Sequence, residues 1–247
     1  MIRVDTLNIN YYMDKHGAWD MRKELLCQAL ERTNADIIAL QAVRSEPGLA
    51  KGKDQAAQLC RMLPVYQEVY FGPAERFPDG SVHGSAILSR LPMAVRDSLS
   101  LNRLPGLDDT NQRALLSARL DLPGGPLHLF NAHFSWVREQ AQENLEQALP
   151  FIDAVQGPAL LVGDFNIPSD SDLLGRLRES GWTDAWEKLH PDQEGLTFEA
   201  DHPSLRIDYA WANADLAPKL QAIEIIQHDT GKIRLSDHLG LRVDLDL

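Results

Sequence analysis

The alternation of apolar and polar positions divides the chain into many short strands and a few helices. Residues 2–10 alternate and end near Asn8 and Asn10, which predicts a strand. Residues 19–33 place Met21, Leu25, Leu26, Ala29 and Leu30 at helical spacing, with Asn34 as a stop. Next come a buried strand over 36–41, a short helix over 54–63, and strands over 66–71, 85–89 and 94–99. Residues 102–111 read as a loop. Strands at 113–120 and 127–133 are joined by Pro123-Gly124-Gly125-Pro126, which predicts a hairpin with an unusually long connection. The clearest helix covers 136–149, with Val137, Ala141, Leu145, Ala148 and Leu149 along one face. Ala159-Leu160-Leu161-Val162 reads as a strand buried on both faces, followed by a helix over 170–179 from an Asp/Ser-rich cap. Residues 181–204 show no clear period, and strands over 206–211, 220–226 and 239–245 close the chain.

Hairpins alternate here with strands that return through helices. That mixture predicts an α+β fold: a mixed sheet, or two stacked sheets, with helices outside. No repeat, low-complexity tract or linker interrupts the 247 residues, so one domain spanning 1–247 is expected. A hydrophobic content of 44% is enough for a large core, and no apolar run is long enough to cross a bilayer. The N-terminus has no charged-then-apolar leader, which predicts a cytoplasmic location unless a leader has been removed. Cys27 and Cys60 are too few for a disulfide framework and read as reduced core residues. With 36 Asp and Glu against 24 Lys and Arg, the net charge is −12. Duplex DNA is bound by displacing counterions with a positive face, so weak duplex binding is expected, and the chain is expected to be a monomer.

Chemistry-bearing residues fall where the predicted strands end. They are Asn8, His133, Asp164 with Asn166, Asp208, and Asp237-His238. Phosphoester hydrolysis needs charge to neutralise the phosphoryl oxygens, a positioned water and a donor for the departing oxygen. Carboxylates and amides suit Mg²⁺, and histidines serve as charged donors or as acid and base.

Seven segments, in order, then resemble the endonuclease/exonuclease/phosphatase (DNase I-like) superfamily. They are Thr6-Leu7-Asn8, Ile38-Ala39-Leu40-Gln41, Ser85-Ala86-Ile87-Leu88-Ser89-Arg90, Asn131-Ala132-His133, Gly163-Asp164-Phe165-Asn166, Arg206-Ile207-Asp208-Tyr209 and Ser236-Asp237-His238. The resemblance implies a four-layer α/β/β/α sandwich and a phosphodiesterase or nuclease activity. It implies that His238 contacts the scissile phosphate while Asp208 orients it. Asp164, helped by Asn166, would position the attacking water, and His133 would act toward the leaving oxygen. Asn8 and Asp237 would stand at the metal end, with Mg²⁺ as the ion and Mn²⁺ or Ca²⁺ as substitutes. His83 and Arg113 are candidate substrate contacts. Trp136, Trp182 and Trp186 are expected to be packing or lid residues rather than base-stacking platforms.

One position departs from the pattern. The residue after Leu40-Gln41 in the family is glutamate, the principal side-chain metal ligand, and here it is Ala42. A methyl group cannot coordinate Mg²⁺. Either the carboxylate has been excised to inactivate an otherwise intact hydrolase, the favoured reading, or the chain is a natural, catalytically impaired member that binds phosphate or nucleic acid. Family members cut several kinds of phosphoester with similar central residues, so loops choose the substrate. Single-stranded nucleic acid or a small phosphodiester is favoured on charge.

Overall fold

The computed structural model describes residues 1–227 and 233–247. Its first half contains strands β1 (Ile2–Asn8), β2 (Ile37–Ser45), β3 (Glu68–Arg76), β4 (Val82–Ser89) and β5 (Met93–Ser100), with helices α1 (Trp19–Thr33) and α2 (Gln55–Met62). There follow β6 (Ala114–Leu122), β7 (Gly125–His133), α3 (Arg138–Asp153), β8 (Ala159–Asp164), α4 (Gly175–Glu179), β9 (Thr183–Asp184) and α5 (Ala185–Leu189). The chain closes with β10 (Asp208–Ala212), β11 (Leu220–Ile226) and β12 (Gly240–Leu245).

These strands form two six-stranded sheets among the described residues, ordered β11-β12-β1-β2-β4-β3 and β5-β6-β7-β8-β10-β9. Each sheet has one parallel pair, β1 with β2 and β7 with β8, and its other pairings are antiparallel. Parallel neighbours need a crossover. Helix α1 carries the chain from β1 to β2, and α3 carries it from β7 to β8.

Strand periodicity places the layers. In β2, Ile37 and Ala39 pack between the sheets, while Ile38 and Leu40 pack outward with Leu26 and Leu30 of α1 and Leu59 of α2. In β8, Leu160 and Val162 face the inter-sheet core, and Ala159 and Leu161 face Ala141, Leu145 and Ala148 of α3. The result is helices, sheet, sheet, helices, an α/β/β/α sandwich.

The inter-sheet layer also holds a polar pin. Gln41 Nε2 donates to Thr6 Oγ1 (2.9 Å) and to Asn131 Oδ1 (2.7 Å), and Asn131 Nδ2 donates to the Leu40 and Ala86 carbonyls (3.1 and 3.0 Å). Asn131 lies on β7 and the others lie on the opposite sheet, so these buried amides fix the two sheets against each other.

Three expected elements are corrected. The hairpin's long connection disappears, because Leu122 pairs with Gly125 and only Pro123 and Gly124 turn. The helix expected to stop at 149 continues through Pro150 to Asp153. Proline removes one hydrogen bond, but burial of Ile152 in the cluster that holds Ala159 and Leu161 of β8 offsets that loss. The helix expected over 170–179 is a 3₁₀ turn, Asp172–Leu174, followed by α4.

Candidate active site

Strand register builds the centre of the site. His133 is the partner of Asp164 on the β7–β8 ladder, and Asp164 is the partner of Asp208 on the β8–β10 ladder. Three titratable side chains therefore stand in one row across adjacent strands, about 4.8 Å apart along the ladder. Gly163 lets the strands approach there. It has φ +134°, and a Cβ on it would lie 2.0 Å from the Ala132 carbonyl oxygen.

His238, just ahead of β12, closes over this row. Its Nδ1 lies 2.9 Å from Asp208 Oδ2, its Nε2 lies 3.7 Å from Asp164 Oδ2, and its ring packs against Phe198. Asn8 reaches across from the other sheet, and its Nδ2 donates to Asp164 Oδ2 at 2.8 Å. Asn166, left-handed at φ 53°, folds back so that its backbone N–H donates to Asp164 Oδ1 (2.9 Å) and its Nδ2 to Oδ2 (3.2 Å). His133 Nε2 is 3.6 Å from the same Oδ2.

These groups are buried, and burial sets their charges. Desolvation works against charge on His238, but Asp208 and Asp164 outweigh it and raise the imidazole to about 10. His238 is therefore an imidazolium at neutral pH. Desolvation pushes the Asp164 carboxyl up to about 6, raised further by Asp208 and held back by His238. Desolvation, with Arg113 and His238 nearby, holds His133 well below the ordinary histidine range, so it is neutral.

The row opens into a cleft of about 520 Å³ whose walls include Asn8, Ala42, Arg113, Asn166 and Asp237. Ala42 sits in a bulge, where the β2–β4 register shifts between Leu40 and Val43, with φ 52°. The bulge brings position 42 to the wall of the cleft. Arg113 is held by Asp109, which accepts from its Nη2 (2.8 Å) and from Ser135 Oγ (2.6 Å). His83 is placed differently from the rest. It stacks on Tyr11, lies 3.5 Å from Glu75, and does not line the cleft. Burial, only partly offset by Glu75, lowers its pKa.

Sequence reasoning passed over Tyr11, Asn111 and Asp109. The first two line the cleft, and the third anchors Arg113. Asp109 and Asn111 lie in the aperiodic loop ahead of β6, where the only signal was a dense polar run, Asp108-Asp109-Thr110-Asn111. Trp182 and Trp186 are packed in the interior, whereas Trp136 is 55% exposed on the cleft rim.

A metal would have to be held by the residues at the Ala42 end of the cleft. Asp237 offers one carboxylate there, Asn8 Oδ1 already accepts from the Asn10 backbone N–H, and Ala42 offers a methyl group. Asp164, Asp208 and His238 have ligand atoms within 4.8 Å of one another, but His238 Nδ1 is already engaged with Asp208 at 2.9 Å, and Asp164 Oδ2 already accepts from Asn8 and Asn166. The residues present do not fit a resident divalent ion.

Comparisons with known proteins bear on the fold and the family. A crystal structure of an endonuclease/exonuclease/phosphatase from Beutenbergia cavernae superposes with a TM-score of 0.81 at 25% identity, covering 100% of this chain and 71% of that one. The mannosyl-6-phosphatase of Bacteroides thetaiotaomicron shares the fold, with a TM-score of 0.80 at 18% identity and 100% of both chains covered. Carbon catabolite repressor protein 4 homolog 3 of Arabidopsis thaliana is 26% identical over 173 residues, which cover 66% of this chain but only 36% of the plant protein. A model of the Endonuclease/Exonuclease/phosphatase family matches residues 6–238, a span that takes in every strand-end residue of the site from Asn8 to His238, and the chain belongs to that family.

Proposed function

We propose that the chain is a phosphoester hydrolase of the phosphodiesterase and nuclease type, folded as one domain and acting as a monomer. The observation that carries this reading is the charged His238, fixed by Asp208 beside Asp164 at the floor of an amide-lined cleft. An imidazolium there donates to a phosphoryl oxygen and neutralises charge that grows in the transition state. Asp164 takes a proton from the attacking water, while Asn8 and Asn166 hold its carboxylate in place. The new P–O bond forms as the bond to the leaving oxygen breaks; that oxygen departs as an oxyanion hydrogen-bonded by neutral His133 and takes its proton from solvent, to which Asp164 later returns the one it accepted. Arg113 offers a second fixed cation to the substrate.

Members of this family generally use a divalent metal. Among the described residues, Asp237 and Asn8 are the oxygen donors that line the cleft with Ala42, so Mg²⁺, or Mn²⁺ or Ca²⁺ in its place, binds weakly there. Ala42 is also the observation that favours a second reading, a member that binds phosphate or nucleic acid with little turnover. For the substrate, the −12 charge favours single-stranded nucleic acid or a small phosphodiester over duplex DNA.

The test is hydrolysis of bis(p-nitrophenyl) phosphate by this chain and by Ala42→Glu, each with and without His238→Ala. Removing the histidine is expected to lower the rate roughly 10²–10⁴-fold while circular dichroism stays native. Full activity in His238→Ala would overturn the assignment. Turnover confined to Ala42→Glu, with phosphate still bound by this chain, would select the second reading.

A further inference from the structure

Beside the cleft lies a second cavity of about 490 Å³. It shares three wall residues with the cleft, Trp136, Asn166 and Pro168, so a molecule held in one extends naturally into the other. Ala141, Ile167 and Leu173 make its inner wall apolar. Trp136 stands on the partition between the two.

Trp136 is the exception among five tryptophans. Trp19, Trp182, Trp186 and Trp211 are no more than 8% exposed, and Trp136 is 55% exposed. Among the described residues its ring stacks on no aromatic side chain and lies under no cation. Its backbone is nevertheless fixed on one side by Ser135, which is buried. The Ser135 N–H donates to Asn144 Oδ1 (3.1 Å) and its hydroxyl to Asp109, and that same hydroxyl accepts from the Val137 N–H (3.1 Å). A large apolar ring exposed to water on a backbone already fixed offers a contact face whose ordering costs less than it would on a free loop.

The polar groups of the cavity narrow the choice of occupant. Arg138 donates to Asp172 Oδ1 at 2.6 Å and to Ser171 Oγ at 3.3 Å, so its charge is already matched. The same ion pair neutralises Asp172 and leaves Asp170 as the acidic group of the outer rim. A second phosphate is repelled by that rim. A flat, uncharged group finds an indole face and an apolar wall.

We propose that this cavity is a subsite for an unpaired nucleobase attached to the phosphoester bound at His238, with Trp136 as the stacking platform. The inference rests on the phosphoester reading and names its substrate class as single-stranded or mononucleotide. A base inside a duplex keeps its faces stacked and cannot enter. Stacking of one base on an aromatic side chain corresponds to roughly a five- to hundredfold gain in affinity.

The experiment is calorimetric titration of the full chain, without added metal, with ribose 5-phosphate, adenosine 3′-monophosphate and adenosine 5′-monophosphate. Each titration is repeated on Trp136→Ala, Trp136→Phe and His238→Ala. At least one of the adenosine phosphates is expected to bind about fivefold or more tighter than ribose 5-phosphate, and to quench tryptophan emission. That ratio is expected to fall to about one in Trp136→Ala and to recover in large part in Trp136→Phe. Equal affinities for the sugar phosphate and both nucleotides, or a ratio that survives Trp136→Ala, would overturn the subsite. The reading beneath it fails separately, if ribose 5-phosphate binding is untouched by His238→Ala.

Discussion

The two parallel strand pairs at the centre of the molecule use the same backbone device for different ends. Each pair sits inside its sheet, is joined by a crossover helix, and delivers side chains at the C-terminal ends of its strands. The β7–β8 mouth, continued by β10, carries His133, Asp164 and Asp208. The β1–β2 mouth carries Asn8 and Ala42, an amide and a methyl, with Gln41 turned inward between the sheets. Of the two pairs, β7–β8 thus carries the charge and β1–β2 contributes a neutral donor, Asn8, while the first sheet's own charge at the site comes from Asp237 and His238 just ahead of β12. A parallel pair supplies position, and its terminal residues alone decide whether that position carries charge.

The largest way to break the comparison is to neutralise the charged mouth. In the Ala42→Glu background, Asp164→Asn is expected to lower the turnover number roughly 10²–10⁴-fold. Asn8→Ala, which removes an aligning bond from the opposite mouth, is expected to lower it only about tenfold. Steady-state kinetics on a chromogenic diester compares the two, and equal losses would erase the distinction between the two mouths. Next in size is the reverse experiment, which gives charge to the neutral mouth. Ala42→Glu is expected to tighten Mg²⁺ at least about tenfold in calorimetry. Unchanged affinity would mean that position 42 does not face an ion.

The smallest expected effect sharpens the comparison through pH. His238 has a folded pKa raised from 6.5 to about 10, so its stabilisation is fully present below about 6.5 and is lost as pH climbs toward 10. Asp164 is also raised, from 3.8 to about 6, so the folded state holds its proton longer and stability drifts down between those values. Thermal melts between pH 6 and 10 should therefore fall with pH, and Asp208→Asn should flatten the fall by removing the principal charge that raises His238. An equally steep fall in that variant would place the alkaline loss elsewhere.

The sheets and the layers were legible because their cause is local. The apolar run at 159–162 reports burial directly, and helix α1 spans the residues its spacing predicts, while the alternation in 2–10 marks a strand that is in fact buried on both faces from Val4 to Asn8. Motif residues gave the site its candidates, but spacing along the chain could not say which of them meet. Asn8 and Asp164 are 156 residues apart, and only the stacking of two sheets makes them partners. Tyr11, Asp109 and Asn111 escaped notice for the opposite reason. They lie in loops, where no period marks a side chain as inward-facing. His83 shows the limit of a motif-neighbour argument. It follows the strand's alternation inward but ends against Tyr11 and Phe77, one layer behind the cleft wall.

The row formed by His133, Asp164 and Asp208 has a consequence for anyone who would redesign this protein. Distances between the three are set by the ladder between neighbouring strands, a ruler made of backbone. The loops that form the rim are attached to the ends of that ruler and do not calibrate it. Exchanging residues 168–171 for others of similar span, with Asn166 and Ser135 left in place, should leave the ruler's markings where they are, so substrate preference can be re-engineered at the rim while the reacting groups keep their spacing. A single-residue deletion inside β8 is a different operation. It would turn Asp164 to the opposite face of its sheet, and no choice of loop could bring it back.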